Sequence, residues 1–181
     1  MKLFYFPLKD VRQLLTRYPF VAYPQRQDSS RYIFTSKKPS YWQDLKTISP
    51  RVAYAILVSE DSNFYKHRGF DWAEIHSAIT DHFLHNKRWR GASTISQQLA
   101  KNLFLGPEKT FWRKTQEMIY TYYLERNLSK SKILELYLNS IEFGDKIYGI
   151  NLASEFYFSK PAKDLRAKES AFLAMLLPGP K

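Results

Sequence analysis

Glu60 and Asp61 stand side by side where an apolar run, AYAILV at 53–58, gives out. A Phe, a His and a Gly follow within eight residues, at Phe64, His67 and Gly69. A carboxylate at the end of a buried helix is partly withdrawn from water, which suits it to general acid or base work. Asp61 is placed to hold or tune its neighbour. Local sequence alone favours a plainer reading, two surface acids neutralised by Lys66 and Arg68.

A second stretch, GASTISQQLAKN at 91–102, has a different character. On a helix, Thr94, Gln98 and Lys101 fall at i, i+4 and i+7 and share a face, while Ile95, Leu99 and Leu103 turn to the core. Hydroxyl, amide and ammonium groups on one face, near a helix N-terminus with unpaired N–H groups, suit an anion or a sugar phosphate. A solvated polar face explains the spacing equally well.

The third stretch is RKTQE at 113–117. Arg113 and Glu117 are four apart and form at least a helix-surface pair, worth roughly a few tenths of a kcal/mol. With Glu60, Glu117 also supplies the second carboxylate that sugar-transfer chemistry uses, one as base and the other to orient or stabilise.

Other chemistries find no support. There is no Cys, hence no disulfide, thiolate site or Cys nucleophile. No GxGxxG, P-loop or HExxH is present, and His67, His76, His82 and His85 lack metal-ligand spacing. His67 reads as a structural hydrogen-bonder. SKSK at 129–132 fits S-x-x-K by chance, without its companion motifs. KRWR at 87–90 mixes cations with Trp, which suits either nucleic acid or a membrane interface.

The elements that must position these residues are helical. The chain has 181 residues, enough for one domain. Its 6 glycines argue against a turn-rich β fold. Pro7, Pro19, Pro24 and Pro39 punctuate residues 1–48, which read as an irregular arm packing through its aromatics. Residues 49–181 form the main domain. Ser49-Pro50 opens a helix through Glu60, and Asp71 with Glu74 caps the next. Ser93 caps a third, a long helix covers 109–128, and Ser129 opens the fifth, which Gly144 breaks. Two more follow, near 148–158 and 167–177, with Pro178 as a stop. About seven helices and no clear strand make the fold class mainly α.

Lys and Arg number 28 against 17 acids, a formal charge of +11. That surplus points to a polyanionic partner. No segment approaches the ~20 apolar residues of a membrane span. Residues 1–10, MKLFYFPLKD, are expected to be neither signal peptide nor span, because Lys9 and Asp10 cut the apolar run short.

Taken in order, EDSNFYKHRG, GASTISQQLAKN, RKTQE, ILELYLN and the YG…A…YF segment resemble the five motifs of the peptidoglycan glycosyltransferases, glycosyltransferase family 51. The resemblance runs from about residue 39 to the C-terminus and carries no transpeptidase module, as in the monofunctional type or an excised domain. It implies a mainly α, lysozyme-like helical head with a smaller membrane-facing jaw, near 83–90 here. It implies polymerisation of lipid II into β-1,4-linked glycan strands, with inversion and release of undecaprenyl pyrophosphate.

By the same resemblance Glu60 is the base and Glu117 the second catalytic carboxylate. Lys101 and Arg113 match the residues that hold pyrophosphate. Ser93, Thr94, Gln97, Gln98 and Asn102 match the polar positions of the second motif. Asp61, Phe64, His67, Gly69 and Lys114 shape the site. No obligatory cofactor is implied; Mg²⁺ or Mn²⁺ at Glu117 is compatible with a pyrophosphate substrate.

The implied partners are lipid II, the growing glycan-undecaprenyl pyrophosphate, an anionic membrane surface and other cell-wall synthesis proteins, with no nucleic acid. The implied location is the outer, periplasmic face of the bacterial inner membrane, although the family's usual N-terminal anchor is not visible. Ser154 and Ser159 stand where Ala and Gly are common. The competing readings are a lysozyme-like hydrolase or lytic transglycosylase, which needs no pyrophosphate grip, and a non-catalytic scaffold. Lys101 and Arg113 argue against the first, and the intact set with Glu60 and Glu117 against the second.

Overall fold

Most start signals in the chain become helix N-termini, where a side chain closes an orphan backbone donor of the first turn. The computed structural model describes residues 7–22, 31–85, 92–107 and 110–177. In order these form α1 (Pro7–Arg12), β1 (Tyr18–Ala22), β2 (Arg31–Thr35), α2 (Pro50–Glu60), α3 (Trp72–Phe83) and α4 (Ile95–Phe104). Then come α5 (Phe111–Asn127), α6 (Lys130–Ser140), β3 (Glu142–Gly144), β4 (Ile147–Tyr148), α7 (Ile150–Phe158) and α8 (Ala167–Leu176). The fold is mainly helical, as the sequence predicts, and is consistent with a lysozyme-like helical fold.

The caps are side-chain oxygens. Asp71 accepts from Glu74 N–H, Thr110 from Arg113 N–H and Ser129 from Lys132 N–H. At α4 the cap is Thr94 rather than the expected Ser93, and Gln97 completes a reciprocal capping box. Ser49 holds the expected N-cap position of α2, but its hydroxyl donates to Leu165 C=O at 3.0 Å. That bond ties the start of α2 to the approach to α8, and the two helices pack together. The SKSK segment is structural: Ser129 caps α6, Lys130 pairs with Glu125 and Lys132 with Glu135.

Two findings depart from the sequence reading. Strands exist, in two antiparallel pairs, β1–β2 and β3–β4. In the first, Tyr18 faces Thr35 and Ala22 faces Arg31. Pro19 is tolerated because a two-stranded ribbon has only edge strands, where a missing N–H need not break a ladder. The ribbon docks rather than standing alone: Tyr32 Oη donates to Ser140 C=O at the end of α6. Residues before 49 are therefore not simply an irregular arm. Val11, Leu14, Trp42 and Ile48 are buried in the same cluster as Ile95, Leu99 and Tyr137.

That cluster centres on α4 and α6. Seven consecutive-turn residues of α6, including Ile133, Leu134, Leu136, Tyr137 and Leu138, are buried. Each such aliphatic side chain contributes about 1.5–3 kcal/mol of burial free energy. α4 packs against both α5 and α6. The outcome is a rigid platform beneath the C-terminal end of α2. Among the described residues no helix is long and apolar enough to cross a membrane. The KRWR stretch at 87–90, and with it most of the expected jaw loop, lies outside the described residues.

Candidate active site

Glu60 is the last residue of α2, whose Val52 and Ile56 are buried in the core. The helix thus carries the carboxylate to the rim of a polar cleft of about 380 Å³. Ser59, Glu60, Ser62, Asp71, Glu74 and Ser93 are among its lining residues. Gln98, one turn into α4, donates Nε2–H to Glu60 Oε2 at 2.9 Å. Its Oε1 accepts from Tyr137 Oη on α6, also at 2.9 Å. Burial pushes the Tyr137 phenol well above its usual range, and the charges of Glu60 and Asp61 add to this. Tyr137 therefore keeps its proton and donates.

Asp61 does different work from its neighbour. α2 ends at Glu60, and Asp61 is buried. Its carboxylate accepts from His67 Nε2 at 2.8 Å and from the Ile95 N–H, first in α4, at 3.0 Å. His67 Nδ1 in turn accepts from Gly69 N–H at 3.1 Å. An acceptor role at Nδ1 places the imidazole proton on Nε2, facing Asp61. His67 is thus an orienting group, as the sequence suggests. Gly69 C=O accepts from Thr94 Oγ1 at 2.7 Å. Gly69 has φ +93°, a conformation L side chains rarely adopt. Phe64 is buried with Lys130 Nζ 4.3 Å above its ring. The 61–70 loop is therefore stitched to α4, which holds Glu60 and Gln98 in register.

The second-motif residues divide. Thr94 and Gln97 are buried and committed to the capping box and to Gly69. Thr94 is the N-cap of α4 rather than a residue of its first turn, and it lines the cleft. Gln98 is engaged by Glu60 and Tyr137. Ser93 and Lys101 are exposed, and Asn102 is half-buried.

Glu117, on α5, is buried between two cations. Arg113 Nη1 lies 3.3 Å from its Oε2, and Lys114 Nζ contacts its Oε1. Two positive groups face one carboxylate, leaving a net positive charge. Arg113 Nε is buried and has no partner among the described residues.

A protein-held divalent ion does not fit these groups. Glu117 already carries two cations. Asp61, His67 and Asp71 do place donor atoms within 4.8 Å of one another. Yet His67 uses its lone pair on Gly69 N–H and its proton on Asp61, leaving no lone pair for a metal. Asp71 is committed as the α3 cap and also accepts from Asn63 Nδ2 at 2.9 Å. The Glu74 backbone N–H, and then the Asn63 amide, hold the Asp71 carboxyl below its usual range.

Sequence reasoning quoted ILELYLN but did not single out Tyr137. Its signal was faint: a tyrosine among aliphatics reads as core. Asn139, of the same stretch, clamps the N-terminal segment instead, accepting from Gln43 N–H and donating to Gln43 C=O, both at 2.8 Å. Asp71 and Glu74 were read only as a cap and also line the cleft.

Among the described residues the cleft is lined by four acids, Glu60, Asp61, Asp71 and Glu74, and the cation pair on α5 surrounds Glu117. Comparison with known proteins assigns the family. The transglycosylase family profile matches residues 28–181, and this chain belongs to that family. A biosynthetic peptidoglycan transglycosylase of Acinetobacter baumannii is 47% identical over 140 residues, covering 77% of this chain and 62% of the relative. A protein of the same name from Mannheimia succiniciproducens is 47% identical over 165 residues, covering 90% and 67%. Another, from Acinetobacter baylyi, is 45% identical over 152 residues, covering 83% and 68%. The chain thus spans about three fifths to two thirds of the length of these relatives.

Proposed function

We propose that this protein is a peptidoglycan glycosyltransferase that polymerises lipid II into β-1,4-linked glycan strands. The observation that carries the reading is Glu60, fixed by Gln98 at the rim of a polar cleft within a chain of the transglycosylase family. Glu60 acts as general base. It takes the proton of the GlcNAc 4-hydroxyl of an incoming lipid II as that oxygen bonds to the anomeric carbon of the growing strand. The anomeric C–O bond to undecaprenyl pyrophosphate breaks in the same displacement, which inverts the α linkage to β.

The leaving group gathers negative charge, and preorganised cations stabilise such charge most effectively in the transition state. Arg113 and Lys114, with Glu117 between them, and the exposed Lys101 take this role. The partly exposed side chain of Arg113 supports it, since a guanidinium gives phosphate oxygens paired donors. Glu117 holds both cations in place. Ser93, just before the α4 N-cap, and Asn102, on α4, contact the sugar-phosphate portion.

The work takes place at the outer face of the bacterial inner membrane, where the net charge of +11 favours anionic lipid at about 1 kcal/mol per well-placed cation. The growing strand and neighbouring cell-wall synthesis proteins are its partners there.

The test compares wild type with Glu60→Gln for lipid II consumption in detergent, with products sized on a gel. The wild type should build a ladder of strands and the variant should lose it while keeping lipid II binding. A wild type that leaves lipid II intact, or a variant that still polymerises, overturns the reading.

A further inference from the structure

We propose that Tyr137 is a positioning residue for Glu60 and acts through Gln98. The three side chains come from three helices, α2, α4 and α6, and form one hydrogen-bonded line: Tyr137 Oη to Gln98 Oε1, and Gln98 Nε2 to Glu60 Oε2. The inference rests on Glu60 being the base and adds to that reading the means by which its geometry is set.

An amide has two unlike ends. One donates and the other accepts, and a half-turn exchanges them. Facing a carboxylate, only the N–H₂ end is attractive. Something must therefore keep Gln98 from turning. Tyr137 does so, together with the Ser93 C=O that accepts from Gln98 Nε2 at 3.4 Å, because a protonated phenol donates and so selects the carbonyl end. The selector is itself immobile: Tyr137 is fully buried in α6, among Ile133, Leu134, Leu136 and Leu138. Its phenol is held protonated by burial, so the selection does not lapse at working pH. The line also distinguishes the two oxygens of Glu60. Oε2 is taken by Gln98, whereas among the described residues Oε1 has only Ser59 Oγ at 3.4 Å. Oε1 is therefore the oxygen left to receive the substrate proton, and its position is fixed at one remove by a residue that never touches substrate.

Two measurements test this. The first is a kinetic cycle of Tyr137→Phe, Gln98→Leu and the double variant on lipid II. Tyr137→Phe should lower kcat roughly ten- to a hundredfold with KM unchanged. In the Gln98→Leu background the same change should alter kcat by less than about twofold, because the connection is already cut. The second measurement needs no turnover. The side-chain NH₂ signals of Gln98, assigned by their loss in Gln98→Leu, are followed by nitrogen–proton NMR. They should shift and exchange faster with water in Tyr137→Phe while the melting temperature stays close to wild type.

Full kcat in Tyr137→Phe, an equal loss in both backgrounds, or unmoved Gln98 signals would each overturn the proposal. If the wild type leaves lipid II intact yet the Gln98 signals move as expected, the positioning stands and the assigned reaction fails.

Discussion

Replacing Gly69 with alanine sets two separable costs against each other. The first is conformational. Gly69 has φ +93°, and an L residue forced to positive φ costs roughly 1–2 kcal/mol. The second is steric. A Cβ built there lies 2.8 Å from Thr121 Cγ2 and 3.0 Å from Glu125 Cγ, both on α5. Carbon atoms pack comfortably at about 3.5–4.0 Å. Glu125 cannot simply swing aside, because Ser96 and Lys130 both hold its carboxylate. Forcing an extra methyl into a filled site costs about 1–3 kcal/mol.

Together these give roughly 2–5 kcal/mol, a large part of the ~5–15 kcal/mol that stabilises a typical domain. At this chain length that corresponds to a melting temperature lower by about 4–20 °C. The assay is thermal and urea unfolding of Gly69→Ala in two backgrounds, wild type and Thr121→Ser. Serine removes Cγ2 and keeps the hydroxyl that donates to Glu117 C=O. In that background the alanine should cost less, because the Thr121 Cγ2 part of the about 1–3 kcal/mol steric cost is gone while the Glu125 Cγ contact remains. An overall cost under about 0.5 kcal/mol, or the same cost in both backgrounds, would refute the argument that α5 confines this turn.

Three further outcomes are expected. Asp61→Asn should destabilise by about 1–3 kcal/mol in urea unfolding, because His67 Nε2–H and Ile95 N–H need two acceptors and an amide offers one. Asp71→Asn should differ from wild type according to pH: the folded carboxyl titrates below its ordinary 3.8, so its stabilisation is present above that value and is lost as pH falls through the lower folded value. Unfolding measured at pH 6 and at pH 2 should show a smaller wild-type advantage at the lower pH. Glu117→Gln should cost roughly 1–3 kcal/mol and weaken binding of pyrophosphate-bearing ligands, since Arg113 and Lys114 lose the charge that gathers them. The figure falls below that of a fully buried pair because Lys114 is partly in water. A calorimetric titration unchanged from wild type would remove Glu117 from the ligand-binding arrangement.

The helices and most of their starts were legible in the chain. Pro50 at the start of α2 is a local signal, as are Asp71 before Glu74 and Ser129 before α6, where the cap and the N–H it serves lie within three residues. The ordered motifs carried the family and the importance of Glu60 in the same way. The hairpin of β1 and β2 was not legible. β2, RYIFT, is rich in strand-favouring residues, but the run is short and its partner carries Pro19. Both form because Tyr18 and Tyr32 find Trp42 and the end of α6.

The division of labour inside the site was likewise a tertiary decision. Two adjacent acids look equivalent in a sequence, yet the end of α2 falls between them. Glu60 stays on the helix and reaches the cleft, while Asp61 leaves it and is drawn inward by His67 and Ile95 N–H. Thr94 and Gln98 look like partners on one helical face, but the helix begins after Thr94. Gln98 meets Glu60 and Tyr137 from 38 and 39 residues away. Helix propensity and capping act over a few residues, so the order of residues alone specifies them. Which amide faces which carboxylate depends on how α2, α4 and α6 pack, and only the shared core sets that distance.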